Sequence, residues 1–268
     1  LSELVEALPA RGLKTLAIAD MQVGGALPEA LGDKCAGAEY VALSQMGLTG
    51  GVPASFGKCA KLKRLSLWGN QLDGPIPDEL GQCGELEMLQ LQTNQLAGSV
   101  PASLGKCAKL KTLALFKNQL EGAIPDELGQ CGELEALNLA MNNLTGSVPA
   151  SLGKCTKLKR LSLFKNQLDG PIPDELGQCG ELEVLELAMN QLTGGVPASL
   201  GNCAKLKELL LFKNQLKGAV PVTELAALTA LEVLQLHQNE ALTITSSGVQ
   251  ALKEALPNAQ LRLPKDYG

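Results

Sequence analysis

The sequence is poor in aromatic residues and contains a single histidine. Phe, Trp and Tyr make up 3% of its 268 residues, whereas hydrophobic residues as a whole make up 45%. The core of such a chain must therefore consist mainly of leucine and small aliphatic side chains. His237 is the one histidine, so most His-dependent catalytic triads are excluded unless this residue takes part in one. The sequence around His237 shows no recognisable catalytic set of an acid and a nucleophile. The sequence therefore predicts a protein that is not an enzyme.

The sequence also lacks net positive charge and long apolar runs. Its formal net charge is -5, whereas nucleic-acid-binding proteins usually carry a basic face. No apolar run reaches the ~18 residues of a membrane span. We therefore expect no nucleic-acid partner and no membrane segment in this chain. Because the chain begins at Leu1 rather than at Met, we expect a processed chain or a fragment.

What the sequence has in abundance is internal repetition. A unit typified by residues 158–181 recurs at an interval of 24 residues. Asparagine keeps this interval from Asn70 to Asn214, and cysteine keeps it from Cys35 to Cys203. A fixed period of this length is typical of a solenoid, in which each unit contacts only its neighbours. We expect one domain over residues 1–268, with an N-terminal helical cap at 1–12, about ten repeats over 13–240 and a C-terminal cap at 241–268. Within the C-terminal cap, residues 247–250 resemble a capping box opening a helix, and a last short strand follows.

Each position of the repeat has a physical role. Alternate leucines such as Leu65 and Leu67 predict a strand with one buried face, and stacked coils would join these strands into a parallel sheet. The asparagine after each strand, such as Asn70, can satisfy backbone groups where the chain turns inward. A glycine such as Gly74 suits a tight bend, and a proline such as Pro77 begins a short helical turn on the opposite side.

This pattern of Leu-x-x-Leu-x-Leu-x-x-Asn-x-Leu, followed by Gly-x-Ile/Val-Pro and Leu/Phe-Gly-x-Cys, resembles the plant-type leucine-rich repeat. Plant receptor-kinase ectodomains and polygalacturonase-inhibiting proteins carry this repeat. The resemblance implies an α/β repeat fold: a right-handed, curved leucine-rich-repeat solenoid with a parallel sheet on its concave side and short helical turns on its convex side. It also implies that ligands bind on the concave face.

The compartment stays open at this point. The plant-type repeat favours an extracellular location. Two departures favour an intracellular one: the paired cysteines that usually close the caps are missing, and residues 246–257 look more like an intracellular, ribonuclease-inhibitor-like repeat. The triplet Asn143-Leu144-Thr145 is a glycosylation sequon, which also arises by chance and matters only in a secreted chain.

The eight cysteines occupy one position of successive coils. We interpret them as a column of buried free thiols that act as small hydrophobic residues. Disulfides between neighbours fit poorly because every coil has the same orientation there. A zinc site fits poorly because the sequence has no Cys-x-x-Cys motif and one histidine. We therefore expect no metal and no cofactor.

A second period of 48 residues alternates lysine-type and glutamate-type repeats. Just before the strands the residues are Lys63, Glu87, Lys111, Glu135, Lys159, Glu183, Lys207 and Glu232. Neighbours of opposite sign predict a charge ladder that fixes the register of the coils, and each exposed pair would contribute only ~0–1 kcal/mol.

Large residues fall in one column of the predicted concave face, two positions before each asparagine. The candidate ligand-binding residues in this column are Trp68, Phe116, Phe164 and Phe212. Strand parity predicts that they point away from the core, and alternate strands would place them ~10 Å apart. The neighbouring column supplies the other candidates: Lys117, Lys165, Lys213, Met141 and Met189. Aromatic and methionine side chains of this kind are enriched where proteins bind proteins.

Several interpretations of this column remain. We expect a non-catalytic module that binds a protein or peptide on the concave face. Aromatic side chains ~10 Å apart would also suit a linear polysaccharide, and a structural component of a larger assembly would use other faces. Copying of a 48-residue unit would carry a phenylalanine along each time, so the column is also compatible with a relic of duplication. The ligand and the oligomeric state are not determined by the sequence.

Overall fold

A computed structural model describes residues 13–264, except residues 20 and 22. The predicted N-terminal cap at residues 1–12 lies outside the described residues. The chain divides into two compact units, residues 1–134 and residues 135–268. Both units are built from the same kind of coil, in which a short strand, a turn and a short helical segment follow one another.

The first unit contains a parallel sheet of short strands, as the alternating leucines predict. The strands of this unit are β1 Thr15–Ala19, β2 Tyr40–Ser44, β3 Arg64–Ser66, β4 Met88–Gln90, β5 Ala97–Gly98, β6 Thr112–Ala114 and β7 Gln119–Gly122. Hydrogen bonds join β1, β2, β3, β4 and β6 in that order, and β5 pairs with β7. The register aligns one buried residue from each strand of the larger sheet: Leu16, Val41, Leu65, Leu89 and Leu113.

The second unit repeats this arrangement. Its strands are β8 Ala136–Asn138, β9 Asn143–Leu144, β10 Arg160–Ser162, β11 Val184–Glu186, β12 Glu208–Leu210, β13 Lys217–Ala219, β14 Val233–Gln235, β15 Ala241–Thr243 and β16 Gln260–Arg262. The parallel sheet has the order β8, β10, β11, β12, β14, β16, and β13 pairs with β15. Buried leucines again align across it, as at Leu137, Leu161, Leu185 and Leu209.

A helical turn follows each strand and bend, and most of these turns are 3₁₀ helices. The 3₁₀ helices are Ala54–Lys58, Asp78–Gln82, Ala102–Lys106, Asp126–Gln130, Ala150–Lys154, Asp174–Gln178 and Ala198–Asn202. Each begins after a proline such as Pro173, whose φ of -65° is the angle that the proline ring imposes. The predicted helical turns are therefore confirmed.

Neighbouring turns pack so closely that only glycine fits at one position of each coil. A Cβ atom on Gly177 would lie 2.4 Å from the carbonyl oxygen of Ser199 in the next turn. Gly81 and Gly105 face the next turn in the same way, each with a carbonyl oxygen 2.4 Å from the position of a Cβ atom. These contacts explain the glycine of the Gly-x-Cys element by the close approach of two backbones rather than by a turn.

In the described part of the chain, the α-helices are α1 Ala30–Lys34, α2 Val222–Ala226 and α3 Ser246–Ala255. Helix α3 and strand β16 confirm the helix and the last strand predicted for the C-terminal cap. The capping residue differs from the prediction. Thr245, rather than Ser247, is the N-cap, and its Oγ1 accepts a hydrogen bond of 3.1 Å from Gly248 N.

Candidate functional site

A ladder of asparagines fixes the backbone beside the open face of each sheet. Asn190 Oδ1 accepts a hydrogen bond from Leu168 N at 3.0 Å, and its Nδ2 donates to the carbonyl oxygens of Leu163 and Leu187, both at 3.0 Å. One side chain thus ties its own coil to the preceding one. The same pattern is seen at Asn70, Asn94, Asn118, Asn166, Asn214 and Asn239. The predicted role of the asparagines is confirmed.

The residue before each ladder asparagine adopts a left-handed backbone conformation. Thr93, Lys117, Met141, Lys165, Met189, Lys213 and Gln238 have φ values between 55° and 58°. This conformation is unfavourable for residues other than glycine, so the surrounding hydrogen bonds must hold it. The candidate lysines and methionines therefore project from a constrained turn at the edge of the sheet face. Lys117, Lys165 and Lys213 are exposed there, while Met141 and Met189 are half-buried.

In the second unit, the candidate aromatic residues form a stack. The ring centroids of Phe164 and Phe212 lie 6.5 Å apart at an angle of 50°. The ring of Phe212 also lies against His237, with centroids 5.0 Å apart and an angle of 9°. We call Phe164, Phe212 and His237 the aromatic stack. Both distances are within the range in which aromatic side chains attract one another.

The stack corrects two predictions. The expected ring spacing of ~10 Å is wrong for Phe164 and Phe212, whose centroids are 6.5 Å apart. All three members are also half-buried rather than fully exposed. The physical reason lies at Ala188, two residues after strand β11, in the coil between those of the two phenylalanines. Its small side chain leaves room for the flanking rings to lean together, and it is 0% exposed.

His237 falls in the same sequence column as Phe164 and Phe212, although a polar surface residue is the ordinary interpretation of a lone histidine. Its backbone N–H donates to the carbonyl oxygen of Arg262 at 3.1 Å. Burial, and to a lesser degree the positive charge of Arg262, lower the pKa of His237 below its usual value. Its Nδ1 atom is buried and has no hydrogen-bond partner among the described residues. The neutral ring therefore acts mainly as the last member of the stack.

In the first unit, Trp68 and Phe116 are both half-buried on the open face. Gln92, two residues after strand β4, occupies the equivalent position in the coil between them, as the backbone hydrogen bonds from Gly69 N to Gln92 O and from Thr93 N to Phe116 O show. Within the described part of the chain, Gln92 Oε1 is buried and has no hydrogen-bond partner. A side chain with an unused polar atom thus stands where the second unit has alanine.

Charged groups surround the aromatic stack. Lys165 and Lys213 are exposed beside it, and Arg160 is exposed two strand positions further back on the same face. Ser162 Oγ donates a hydrogen bond of 2.5 Å to Glu186 Oε2 on the neighbouring strand. The face therefore combines an apolar centre with charges of both signs, since Glu208 occupies on strand β12 the position that Arg160 occupies on strand β10. The two lysines beside the aromatic stack are the exposed charges nearest to it in the sequence.

The predicted charge ladder consists of pairs between neighbouring coils. Lys207 Nζ lies 2.8 Å from Glu183 Oε2, and Lys159 Nζ lies 2.7 Å from Glu135 Oε2. The hydrogen bond from Lys207 lowers the pKa of Glu183. In the first unit, Lys111 pairs with Glu87 at 2.9 Å, and Lys63 pairs with Glu39 at 2.7 Å. Each of these lysines thus pairs with the glutamate of the preceding coil.

The cysteine column consists of buried free thiols, as predicted. The thiols also have a polar role, because Cys83 Sγ donates to the Phe56 carbonyl oxygen at 3.2 Å and Cys179 Sγ donates to the Leu152 carbonyl oxygen at 3.5 Å. Burial raises the pKa of Cys83 to about 11 and that of Cys179 to about 12. Within residues 13–264, apart from 20 and 22, no group of three or more His, Cys, Asp or Glu side chains is placed to hold a metal ion.

The repeats match the family model described as Leucine Rich Repeat at residues 61–83, 133–155, 157–179 and 181–203. The chain therefore carries leucine-rich repeats and has their fold. No curated protein matches its sequence significantly. None of the helices in the described part of this leucine-rich-repeat chain has the length and apolar character that a membrane span requires.

Solved structures similar to this leucine-rich-repeat protein include plant receptor ectodomains. One is the ectodomain of the membrane receptor kinase GASSHO1/SCHENGEN3 from Arabidopsis thaliana in complex with CASPARIAN STRIP INTEGRITY FACTOR 2, with 36% identity, a TM-score of 0.87 and coverage of 95% of this chain. Another is the plant peptide hormone receptor RGFR1 in complex with RGF2, with 34% identity, a TM-score of 0.87 and coverage of 94% of this chain. The chain spans only 30% and 40% of those two ectodomain chains.

A plant ice-binding protein is also similar, with 25% identity and a TM-score of 0.74. The match covers 96% of this chain and 83% of that one. The same repeat thus occurs in proteins that bind different ligands, and the fold alone does not select among them.

Proposed function

We propose that this leucine-rich-repeat protein is a non-catalytic binding module that recognises a protein or peptide on the open face of its sheets, which the repeat pattern predicts to be concave. The observation that carries the proposal is the aromatic stack with exposed Lys165 and Lys213 beside it. Rings that already pack on one another lose little conformational entropy when a ligand covers them. Such rings are suited to act as anchors for a partner.

The chemistry of this face favours a particular kind of ligand. The stack offers apolar contact, and the lysines and Arg160 favour negative charge. A peptide with an aromatic or aliphatic side chain close to Asp or Glu would satisfy both. Met189, which is half-buried between the two lysines along the edge column, adds an adaptable apolar contact. In the first unit, Trp68, Phe116 and Lys117 provide a second surface, in which Gln92 separates the two aromatic residues, and Met141 begins the edge column in the second unit.

The similar structures support a peptide ligand, since RGFR1 is described as a peptide hormone receptor in complex with RGF2. From this similarity we take only the kind of ligand, a peptide, because the chain spans 40% of that receptor chain. The carbohydrate alternative loses its main argument. Rings 6.5 Å apart, packed on each other, do not present two separate faces at the ~10 Å spacing of alternate strands.

Selection from a random peptide display library on the immobilised protein tests the proposal. We expect enriched peptides to combine an apolar anchor with acidic residues, and to lose binding to a Phe164→Ala/Phe212→Ala variant. The matched control is Gln178→Ala/Asn202→Ala, which changes two exposed side chains on the 3₁₀ helices of the same unit. Circular dichroism and thermal unfolding verify that both variants fold.

The proposal is wrong if the enriched peptides bind the phenylalanine variant as well as the native chain. Loss of binding in the control variant alone would instead place the site on the helical turns. If soluble oligosaccharides displaced the peptides, and the selected peptides showed no enrichment in acidic residues, the result would favour carbohydrate binding instead.

A further inference from the structure

Two consecutive asparagines, Asn142 and Asn143, have opposite environments. Asn142 is buried, and its Nδ2 donates to the carbonyl oxygens of Leu139 at 3.0 Å and Ala140 at 3.3 Å. Asn143 is exposed in strand β9, and within the described part of the chain no hydrogen bond joins its side chain to another protein group. The ladder therefore explains the first asparagine and leaves the second without a structural role.

Other coils have glutamine at the position of Asn143. These glutamines are Gln71, Gln95, Gln119, Gln167, Gln191 and Gln215, and all are exposed. The shorter side chain of Asn143 is followed by Leu144 and Thr145, so this coil alone reads Asn-x-Thr without proline at the middle position. This triplet is the acceptor for N-linked glycosylation.

We propose that Asn143 is an acceptor for an N-linked oligosaccharide. The inference is independent of the proposed binding function. The co-reactant is an oligosaccharide attached through diphosphate to a lipid. Asn143 Nδ2 forms a bond to C1 of the first sugar, and the bond from C1 to the diphosphate oxygen breaks. The lipid diphosphate leaves with the electron pair, and the amide loses one proton to a base of the transferase.

The folded coil accommodates such a modification. Asn143 and Thr145 are exposed, whereas Leu144 between them is buried and its N–H donates to Asn166 Oδ1 at 3.1 Å. The ladder thus anchors the middle of the triplet and directs both flanking side chains to solvent. Attachment of a glycan at Asn143 breaks no protein hydrogen bond of that side chain, so we expect no loss of stability.

The chain contains its own matched control in Gln191-Leu192-Thr193. Gln191 is exposed, and Leu192 is buried with its N–H donating to Asn214 Oδ1 at 3.0 Å, as at Leu144. This triplet has the same place in its coil and differs from the acceptor by one methylene group in the first side chain. The substitution Gln191→Asn therefore creates a second Asn-x-Thr triplet at the same place in its coil, with Thr193 half-buried where Thr145 is exposed.

The test is secretion of the chain from a eukaryotic host, followed by intact mass measurement before and after treatment with peptide N-glycosidase F. We expect one glycan on the native chain, none on Asn143→Gln or Thr145→Ala, and two on Gln191→Asn, with thermal unfolding unchanged throughout. A secreted, folded native chain without glycan would overturn the proposal, and so would a glycan that persists in Asn143→Gln. If the Gln191→Asn variant carried only one glycan, this position of the coil would not by itself make an asparagine an acceptor, which contradicts the proposal.

Discussion

Phe164 and Phe212 follow the alternate strands β10 and β12, yet their rings are packed together with centroids 6.5 Å apart. Ala188, which follows strand β11 between them, is completely buried although its position belongs to the outward face. The two rings therefore close over the small residue, and His237 extends the packing on the other side of Phe212. A row of separate side chains thus becomes one apolar surface, which is the basis of the proposed binding site.

The single histidine gives a direct probe of this packing. Burial lowers the pKa of His237, so removal of the ring that covers it, by Phe212→Ala, should raise that pKa toward ~6.5. We expect the shift to appear in an NMR titration of the one imidazole signal, while Lys154→Glu on a helical turn leaves the pKa unchanged. An identical pKa in native chain and Phe212→Ala would show that the stack does not bury His237.

The same shift makes stability depend on pH. Because the pKa of His237 is lower in the folded chain than in the unfolded chain, the unfolded chain binds the proton more readily. Its contribution to stability is complete above ~6.5, the usual histidine value, and is lost as the pH falls below that value toward the folded pKa. We expect His237→Phe to flatten this part of the stability curve measured by urea unfolding. An unchanged slope would contradict the assignment.

The asparagine ladder should carry much of the stability. Asn190→Ala leaves the buried N–H of Leu168 without its acceptor and removes one of the two side-chain hydrogen bonds to each of the carbonyl groups of Leu163 and Leu187. We expect a loss of about 2–3 kcal/mol in the free energy of unfolding. Asn202→Ala, at an exposed position, should change it by less than about 0.5 kcal/mol. Equal effects of the two substitutions, measured by urea unfolding, would contradict the role of the ladder.

Glycine at the contact between helical turns allows a second comparison. Gly177→Ala would place a Cβ atom 2.4 Å from Ser199 O and 2.7 Å from Ser199 Cβ, so the backbone of one turn must move. We expect a loss of about 3 kcal/mol. Nothing lies within 4 Å of a Cβ atom on Gly180, three residues later, and Gly180→Ala should be nearly neutral. Similar thermal unfolding temperatures for both variants would show that the turns can separate without cost.

The repeat pattern of the sequence predicts most of the fold because the same positions of every coil are buried, hydrogen-bonded or bent in the same way. Leu161, Asn166 and Pro173 each have one role that follows from strand parity, backbone hydrogen bonding or a fixed φ angle. The ring spacing could not be predicted in this way. It depends on the small volume of Ala188, which belongs to another repeat, and the position of His237 depends on Phe212. Contacts between side chains of different coils are set by packing in three dimensions, which a one-dimensional period does not contain.

The thiols provide a test of the core. All eight cysteines are buried and free, and burial raises the pKa of Cys59 and Cys179 to about 12. Because the thiolate is the reactive form, we expect almost no reaction of the folded chain with a disulfide reagent at pH 8. All eight should react in concentrated guanidinium. Rapid reaction of several thiols in the folded chain would contradict the buried column.

The most direct test of the account is the affinity of a selected peptide, with an aromatic anchor and flanking acidic residues, measured by fluorescence anisotropy. The account predicts roughly 10- to 100-fold weaker binding for Phe212→Ala. It also predicts weaker binding for Lys165→Glu/Lys213→Glu, and unchanged binding for Lys154→Glu, which reverses an exposed charge on a 3₁₀ helix of the same unit. Equal affinity for all four proteins would contradict the claim that the open face of the sheet is the binding site.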